Sequence, residues 1–176
     1  MKNFKLNEKD ILSNQDWTFP TTTYYGPGRF NEIGKFCEEF DIKNPLIVTD
    51  SGSKDLPFIK KLIALLSKNN IKSDLFYNIS PNPRDDEISK GCDQFKNGSH
   101  DSIIAIGGGS AMDGGKSICL TVNSETPLWD FEFEQPVPKI TKENAFPKII
   151  TIPTTAGTGA ETEITAMVTH LEKGMK

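Results

Sequence analysis

With 176 residues, 36% of them hydrophobic and 25% charged, the chain is the size of one domain and has the composition of a globular one. A net charge of -4 counts against a nucleic-acid binder, because neutralising phosphates needs a clustered excess of Lys and Arg. Cys37, Cys92 and Cys119 are odd in number and far apart, which counts against a disulfide framework, and no stretch approaches the ~20 apolar residues of a membrane span.

The start, Met1 to Trp17, is polar with no apolar leader-like run, so a cytoplasmic protein with reduced core cysteines is expected. After Pro20, Thr21-Thr22-Thr23-Tyr24-Tyr25 is β-branched and aromatic and precedes a Gly26-Pro27-Gly28 turn, which predicts a strand and its turn. Phe30, Ile33, Cys37 and Phe40 recur at helical spacing, and the apolar run Leu46-Ile47-Val48 ending in Thr49-Asp50 predicts a buried strand. A helix follows, capped by Ser53 or Asp55, with Pro57 in its first turn and a stripe of Leu56, Ile59, Ile63 and Leu66.

Next come a strand from Ser73 to Tyr77, a rigid Pro81-Asn82-Pro83 turn, and a helix on Ile88, Cys92 and Phe95. Ser102 to Ile106 is a continuous apolar strand, Ser110 to Val122 a helix, Pro127 to Pro138 an irregular loop carrying Trp129, and Lys148 to Ile152 a strand ending at Pro153. Ile164 to Val168 reads as a last strand. The βαβα alternation, short connections and unalternating strands predict an α/β fold: a Rossmann-like open, mostly parallel sheet with helices on both faces. No repeat, linker or second composition block divides residues 1–176.

Ile103-Ile104-Ala105-Ile106 runs into Gly107-Gly108-Gly109-Ser110 and a helix start. Glycines let backbone N–H groups approach an anion closely, and a helix N-terminus adds about half a positive charge, so this segment is a candidate phosphate cradle. The plainer reading is helix initiation, with Ser110 and Asp113 as a capping box and the glycines serving a tight turn. The standard dinucleotide fingerprint is absent, because Met112 stands where it requires glycine or alanine. Gly115-Lys116-Ser117 resembles the end of a Walker A loop, but Ser110 stands where its first glycine belongs and the residues lie inside the expected helix. A P-loop enzyme is therefore a poor alternative, and Lys116 is as readily a solvated helix residue as a ligand.

A second segment, Ile152-Pro153-Thr154-Thr155-Ala156-Gly157-Thr158-Gly159-Ala160-Glu161, follows another strand and offers hydroxyl and backbone donors, though a polar turn would have the same composition. Two glycine-rich loops after two buried strands both fall at the carboxyl edge of a parallel sheet, where open α/β folds bind ligands.

Together, Gly107 to Lys116 and Pro153 to Glu161 resemble the iron-containing (group III) alcohol dehydrogenases. Phe19 to Gly28, Val48-Thr49-Asp50, Pro81-Asn82-Pro83 and Pro127-Leu128-Trp129-Asp130-Phe131 extend the likeness over nearly the whole chain, which corresponds to that family's N-terminal, dinucleotide-binding domain alone. Glycerol dehydrogenases and dehydroquinate synthases share the first loop, but Thr154 to Glu161 points to the alcohol dehydrogenase branch. The resemblance implies a truncated chain that supplies the cofactor-binding half, with a divalent metal, iron or zinc, held by one Asp and three His of a helical second domain beyond Lys176.

Carried over by position, the resemblance puts the pyrophosphate of NAD on Gly108, Gly109 and Ser110, with Asp113 behind that loop and Thr154, Thr155 and Thr158 along the cofactor. Asn82 and Lys176 fit further contact positions. Asp50 matches the acidic residue near the adenosine ribose, which favours NAD over NADP, although a solvated strand-end acid is the plainer reading. Gly115, Ala160 and His170 depart from the family's usual alanine, serine and acidic residue. His100 and His170 are the sole histidines and lack ligand spacing, so both read as surface residues and no metal site is expected in this chain.

The implied activity is metal-assisted hydride transfer between a small alcohol or aldehyde and NAD, with no catalytic residue in this segment. Expected partners are that substrate, no nucleic acid and no membrane, with a homo-oligomer as an option. The competing expectation is a catalytically inactive nucleotide-binding fragment or module.

Overall fold

The computed structural model describes residues 15–18, 21–136, 138–139 and 145–174. Strands β1 (Gln15–Thr18) and β2 (Thr22–Tyr25) pair antiparallel as a two-stranded ribbon. A 3-10 turn at Arg29–Glu32 leads into α1 (Ile33–Glu39). The chain then alternates: β3 (Pro45–Asp50), α2 (Pro57–Lys68), β4 (Asp74–Ile79), α3 (Asp85–Asn97), β5 (Ser102–Gly107), α4 (Gly109–Thr121), a 3-10 turn at Leu128–Phe131, and β6 (Lys148–Pro153). The last four strands form one parallel sheet in the order β4-β3-β5-β6.

Two cores flank this sheet, because successive side chains of a strand point to opposite faces. Leu46 and Val48 of β3 and Ile103 and Ala105 of β5 face Ile88 and Phe95 of α3 and Ile118 of α4. Ile47, Ile104 and Ile106 face the other way, onto Ile33 and Cys37 of α1 and Ile59, Leu62 and Leu66 of α2. The uninterrupted apolar runs of β3 and β5 are thus the signature of strands covered on both sides, each fully buried isoleucine contributing roughly 1.5–3 kcal/mol of transfer free energy.

Strand order decides where a ligand can enter. From β3 the chain moves outward to β4, returns across β3 to β5, and moves outward again to β6. Connections therefore diverge between the carboxyl ends of β3 and β5, the reversal point at which open α/β sheets hold ligands. Gly107 ends β5 there with φ 149°, a backbone region that favours glycine, and a Cβ on it would lie 2.6 Å from Ala111 Cβ and 3.3 Å from Asp50 Oδ2.

Several local expectations are corrected. Leu56, not Ser53 or Asp55, is the N-cap of α2, and the Ser53 hydroxyl instead donates to Asp50 Oδ2 at 2.7 Å. Leu62 takes the buried place expected of Ile63, which with Leu56 is exposed. Residues 164–168 form no strand; a single parallel bridge joins Arg84 to Thr169 just after them. The stretch after Pro127 holds a 3-10 turn where an irregular loop was expected, and Gln15–Thr18 is a strand in the polar start. Lys176 lies outside the described residues.

Candidate cofactor site at the sheet's carboxyl edge

The first glycine loop enters α4 without a side-chain cap: Gly108 is the N-cap residue, and the first intrahelical bond runs from Met112 N to Gly108 O at 3.2 Å. The N–H groups of the first turn have no intrahelical acceptor and point outward along the helix axis. The capping box expected of Ser110 and Asp113 is absent. Ser110 Oγ accepts from Asn82 N at 3.3 Å, and the Asp113 carboxylate pairs with Lys116 at 3.1 Å.

Around that loop the neighbouring strand ends converge. Thr154 N donates to Gly107 O at 2.9 Å, which fastens the end of β6 to the first loop. A Cβ on Gly108 would stand 3.4 Å from Thr155 Oγ1, and one on Gly109 would stand 3.3 Å from Thr158 Cγ2, so the two glycine-rich loops face each other across a gap one carbon wide. Asn82, held at φ 59° between two prolines after β4, reaches the same edge through its bond to Ser110. Asp50, at the end of β3, accepts from Gly52 N and Ser53 N, each at 3.0 Å, and from Ser53 Oγ. Its carboxylate is thus oriented by a local turn beside the reversal point. Thr49 behind it donates its hydroxyl to Ile106 O at 2.7 Å, tying β3 to β5 under the site.

Of the residues expected here, Asp50, Asn82, Gly108, Gly109, Ser110, Thr154, Thr155 and Thr158 share this edge, while Asp113 lies one turn inside α4. Lys116, read from the sequence as either a solvated helix residue or a ligand, takes another arrangement in the structure. It is not a solvated helix residue, since its side chain is 14% exposed and its ammonium contacts Asp113 and carbonyls of the second loop. Those partners also overturn the P-loop alternative, whose lysine must be free to reach a phosphate. The signal available beforehand was the i,i+3 spacing of Asp113 and Lys116.

Neither histidine is a plain surface residue. His100 is buried, with Nδ1 3.0 Å from Asn44 O and Nε2 3.4 Å from Asp74 Oδ2. His170 stacks on Trp129 with ring centroids 4.7 Å apart and sets Nδ1 3.4 Å from Asp85 Oδ2. Trp129 Nε1 donates to the same Asp85 oxygen at 3.1 Å, so this cluster docks two loops on the start of α3. Among the described residues no three His, Cys, Asp or Glu side chains gather as a metal would require, and no helix is long and apolar enough to cross a membrane. A separate trough of about 670 Å³ beside β6 is bordered by Tyr24, Phe36 and Ile150 together with the polar Arg29, Lys148 and Glu161.

The structure is an α/β domain with a Rossmann-like parallel sheet, whose two glycine-rich loops meet at the strand carboxyl ends. Residues 20–176 match the family model of the iron-containing alcohol dehydrogenases, and the chain belongs to that family. It is 32% identical over 173 residues to a choline dehydrogenase of Bacillus subtilis, covering 97% of this chain and 42% of that protein. It is 29% identical to a 1,3-propanediol dehydrogenase of Klebsiella pneumoniae, covering 92% of this chain and 41% of that one. Among solved structures, a 1,3-propanediol oxidoreductase superposes with a TM-score of 0.78 at 29% identity, over 85% of this chain and 38% of that one. A sulfoacetaldehyde reductase from Bifidobacterium kashiwanohense in complex with NAD+ superposes with a TM-score of 0.75 at 28% identity, over 86% of this chain and 39% of that one. The chain spans about two fifths of the length of these relatives.

Proposed function

We propose that residues 1–176 are the N-terminal, cofactor-binding domain of an NAD-dependent alcohol dehydrogenase acting on a small alcohol or aldehyde. The observation that carries this reading is the convergence, at the sheet's reversal point, of an uncapped helix N-terminus, a facing threonine loop and the Asp50 carboxylate. The amides of Gly109 and Ser110 bind the pyrophosphate, with Gly108 leaving room for its approach. Thr154, Thr155 and Thr158 donate along the cofactor. Asp50 accepts from the ribose hydroxyls and repels a 2′-phosphate, while Asn82 sets the position of Ser110. Bound NAD supplies the hydride acceptor, and this domain's residues bind and orient it.

A catalytic metal does not fit the described residues: His100 and His170 stand in separate clusters and each already faces one carboxylate. The metal, iron or zinc, and its ligands are assigned to a second domain like that implied by the longer relatives, and no catalytic residue is assigned here.

Titration of the purified chain with NADH, NADPH and MgATP tests the reading. NADH binding with weaker NADPH binding and no response to MgATP is expected; absence of NADH binding removes the site assignment. The intact mass of the protein from its native host separates enzyme from module. A mass well above 19.5 kDa supports a second domain, whereas 19.5 kDa with retained NADH binding supports an inactive cofactor-binding module.

A further inference from the structure

The second glycine-rich loop is not held by regular structure. From Thr154 to Val168 the chain makes turns and bends, with neither strand nor helix, yet carbonyls packed this close to a sheet need donors. Three of them converge on one atom. Lys116 Nζ lies 3.1 Å from Ala160 O and 3.4 Å from Glu163 O, and it also donates to Thr165 O. Asp113 Oδ1, one turn earlier on α4, stands 3.1 Å from the same nitrogen. Between the first two of these, hydroxyls donate to the carbonyls: Thr151 to Glu161 O at 3.0 Å and Thr21 to Thr162 O at 3.2 Å.

The burial of this lysine makes the arrangement demanding. With its side chain 14% exposed, the lysine gives up part of its hydration, which is tolerable where its donors are engaged and a carboxylate balances the charge. Four acceptors meet those donors here. A side chain without donors, such as methionine, would take this donor from the carbonyls of residues 160, 163 and 165 and leave Asp113 without its counter-charge. Thr158, earlier in the same loop, lies against Gly109, the residue at which α4 begins. One helix therefore carries the first glycine loop at its start and, two turns along, the cation that gathers the second.

We propose that Lys116 is a positioning residue for cofactor binding: it clasps residues 160–165 onto α4 and so fixes Thr154, Thr155 and Thr158 opposite Gly108–Ser110 without touching the cofactor. The inference rests on the NAD reading of the site.

Amide hydrogen exchange and NADH titration on wild type, Lys116→Met and Lys116→Arg test it together. Methionine keeps the stem length and removes every donor; arginine restores a cation with donors. In Lys116→Met, exchange across residues 154–168 is expected to rise at least tenfold with β3 and β5 unchanged, and the NADH Kd to rise tenfold or more. Lys116→Arg is expected to recover at least part of both. Should Lys116→Met not fold, the double variant Asp113→Asn/Lys116→Met, which also removes the orphaned carboxylate, carries the same expectations. Exchange within twofold of wild type overturns the clasp, and equal acceleration throughout the domain overturns it in favour of a general packing role. Fast local exchange with wild-type NADH affinity overturns the positioning role. A wild type that shows the exchange pattern but binds no NADH overturns the reading of the site and leaves the clasp itself supported.

Discussion

Replacing Gly108 by valine separates a glycine kept for folding from one kept for a ligand. Gly108 has φ -78° and ψ -176°, extended backbone that β-branched residues adopt without strain. A Cβ there meets only Thr155, at 3.4 and 3.8 Å, close to ordinary van der Waals contact. The free protein should therefore change in stability by no more than about 1 kcal/mol, with reduced chain entropy of the unfolded state offsetting any crowding. The bound state differs. The added carbons stand before the amides at the start of α4, and a pyrophosphate held off them loses one or two charge-assisted hydrogen bonds, each worth roughly 1.5–3 kcal/mol. One such bond corresponds to a rise of about 10- to 150-fold in the NADH Kd. Urea unfolding and fluorescence titration, run side by side, measure both quantities. Unchanged NADH affinity in Gly108→Val would refute the cradle, and a stability loss of several kcal/mol would mean that the glycine serves the turn alone.

Gly115→Ala is the contrasting case: its Cβ would lie 2.5 Å from Ala105 Cβ in the β5 interface, so a loss of about 1–3 kcal/mol is expected in urea unfolding. Asp50→Gly should weaken discrimination against NADPH, and an unchanged NADH-to-NADPH preference in binding assays would remove Asp50 from the ribose site. Burial pushes the Cys37 thiol up to about 11 and the Cys119 thiol up to about 12, so the folded state keeps both protons where the unfolded chain loses them. Their contribution to stability is full below about pH 9 and is lost as pH rises through 11 to 12, and iodoacetamide at pH 8 should alkylate both only as fast as the protein opens. Asp86 is held at about 2, first by its hydrogen bond from Arg84 and then by Lys90; its contribution is present above about pH 4 and fades as pH falls toward 2. Asp86→Asn should flatten that acid limb in a pH series of unfolding midpoints.

What the sequence determined by itself was whatever depends on near neighbours in the chain. Apolar runs such as Ile103 to Ile106 identify strands covered on both faces, 3.6-residue spacing identifies α2 and α3, and glycines after a strand mark a backbone that ligands can approach. The family likeness rests on the same contiguous segments. Tertiary structure alone decided which of these segments meet. The strand order β4-β3-β5-β6 sets Asp50 beside Gly107, although 56 residues separate them in sequence, and the second loop against the first. Ser53 left its expected cap because Asp50 competed for its hydroxyl. Lys116 left solvent because the carbonyls of residues 160, 163 and 165 lacked donors, and residues 164–168 left the strand state because β6, not they, completed the pairing with β5. His100 was drawn inside between Asn44 and Asp74. Except for Ser53, whose partner lies three residues away, the deciding partner is distant in sequence, so local propensity, worth a few tenths of a kcal/mol per residue, yields to burial and hydrogen bonding worth about one or more.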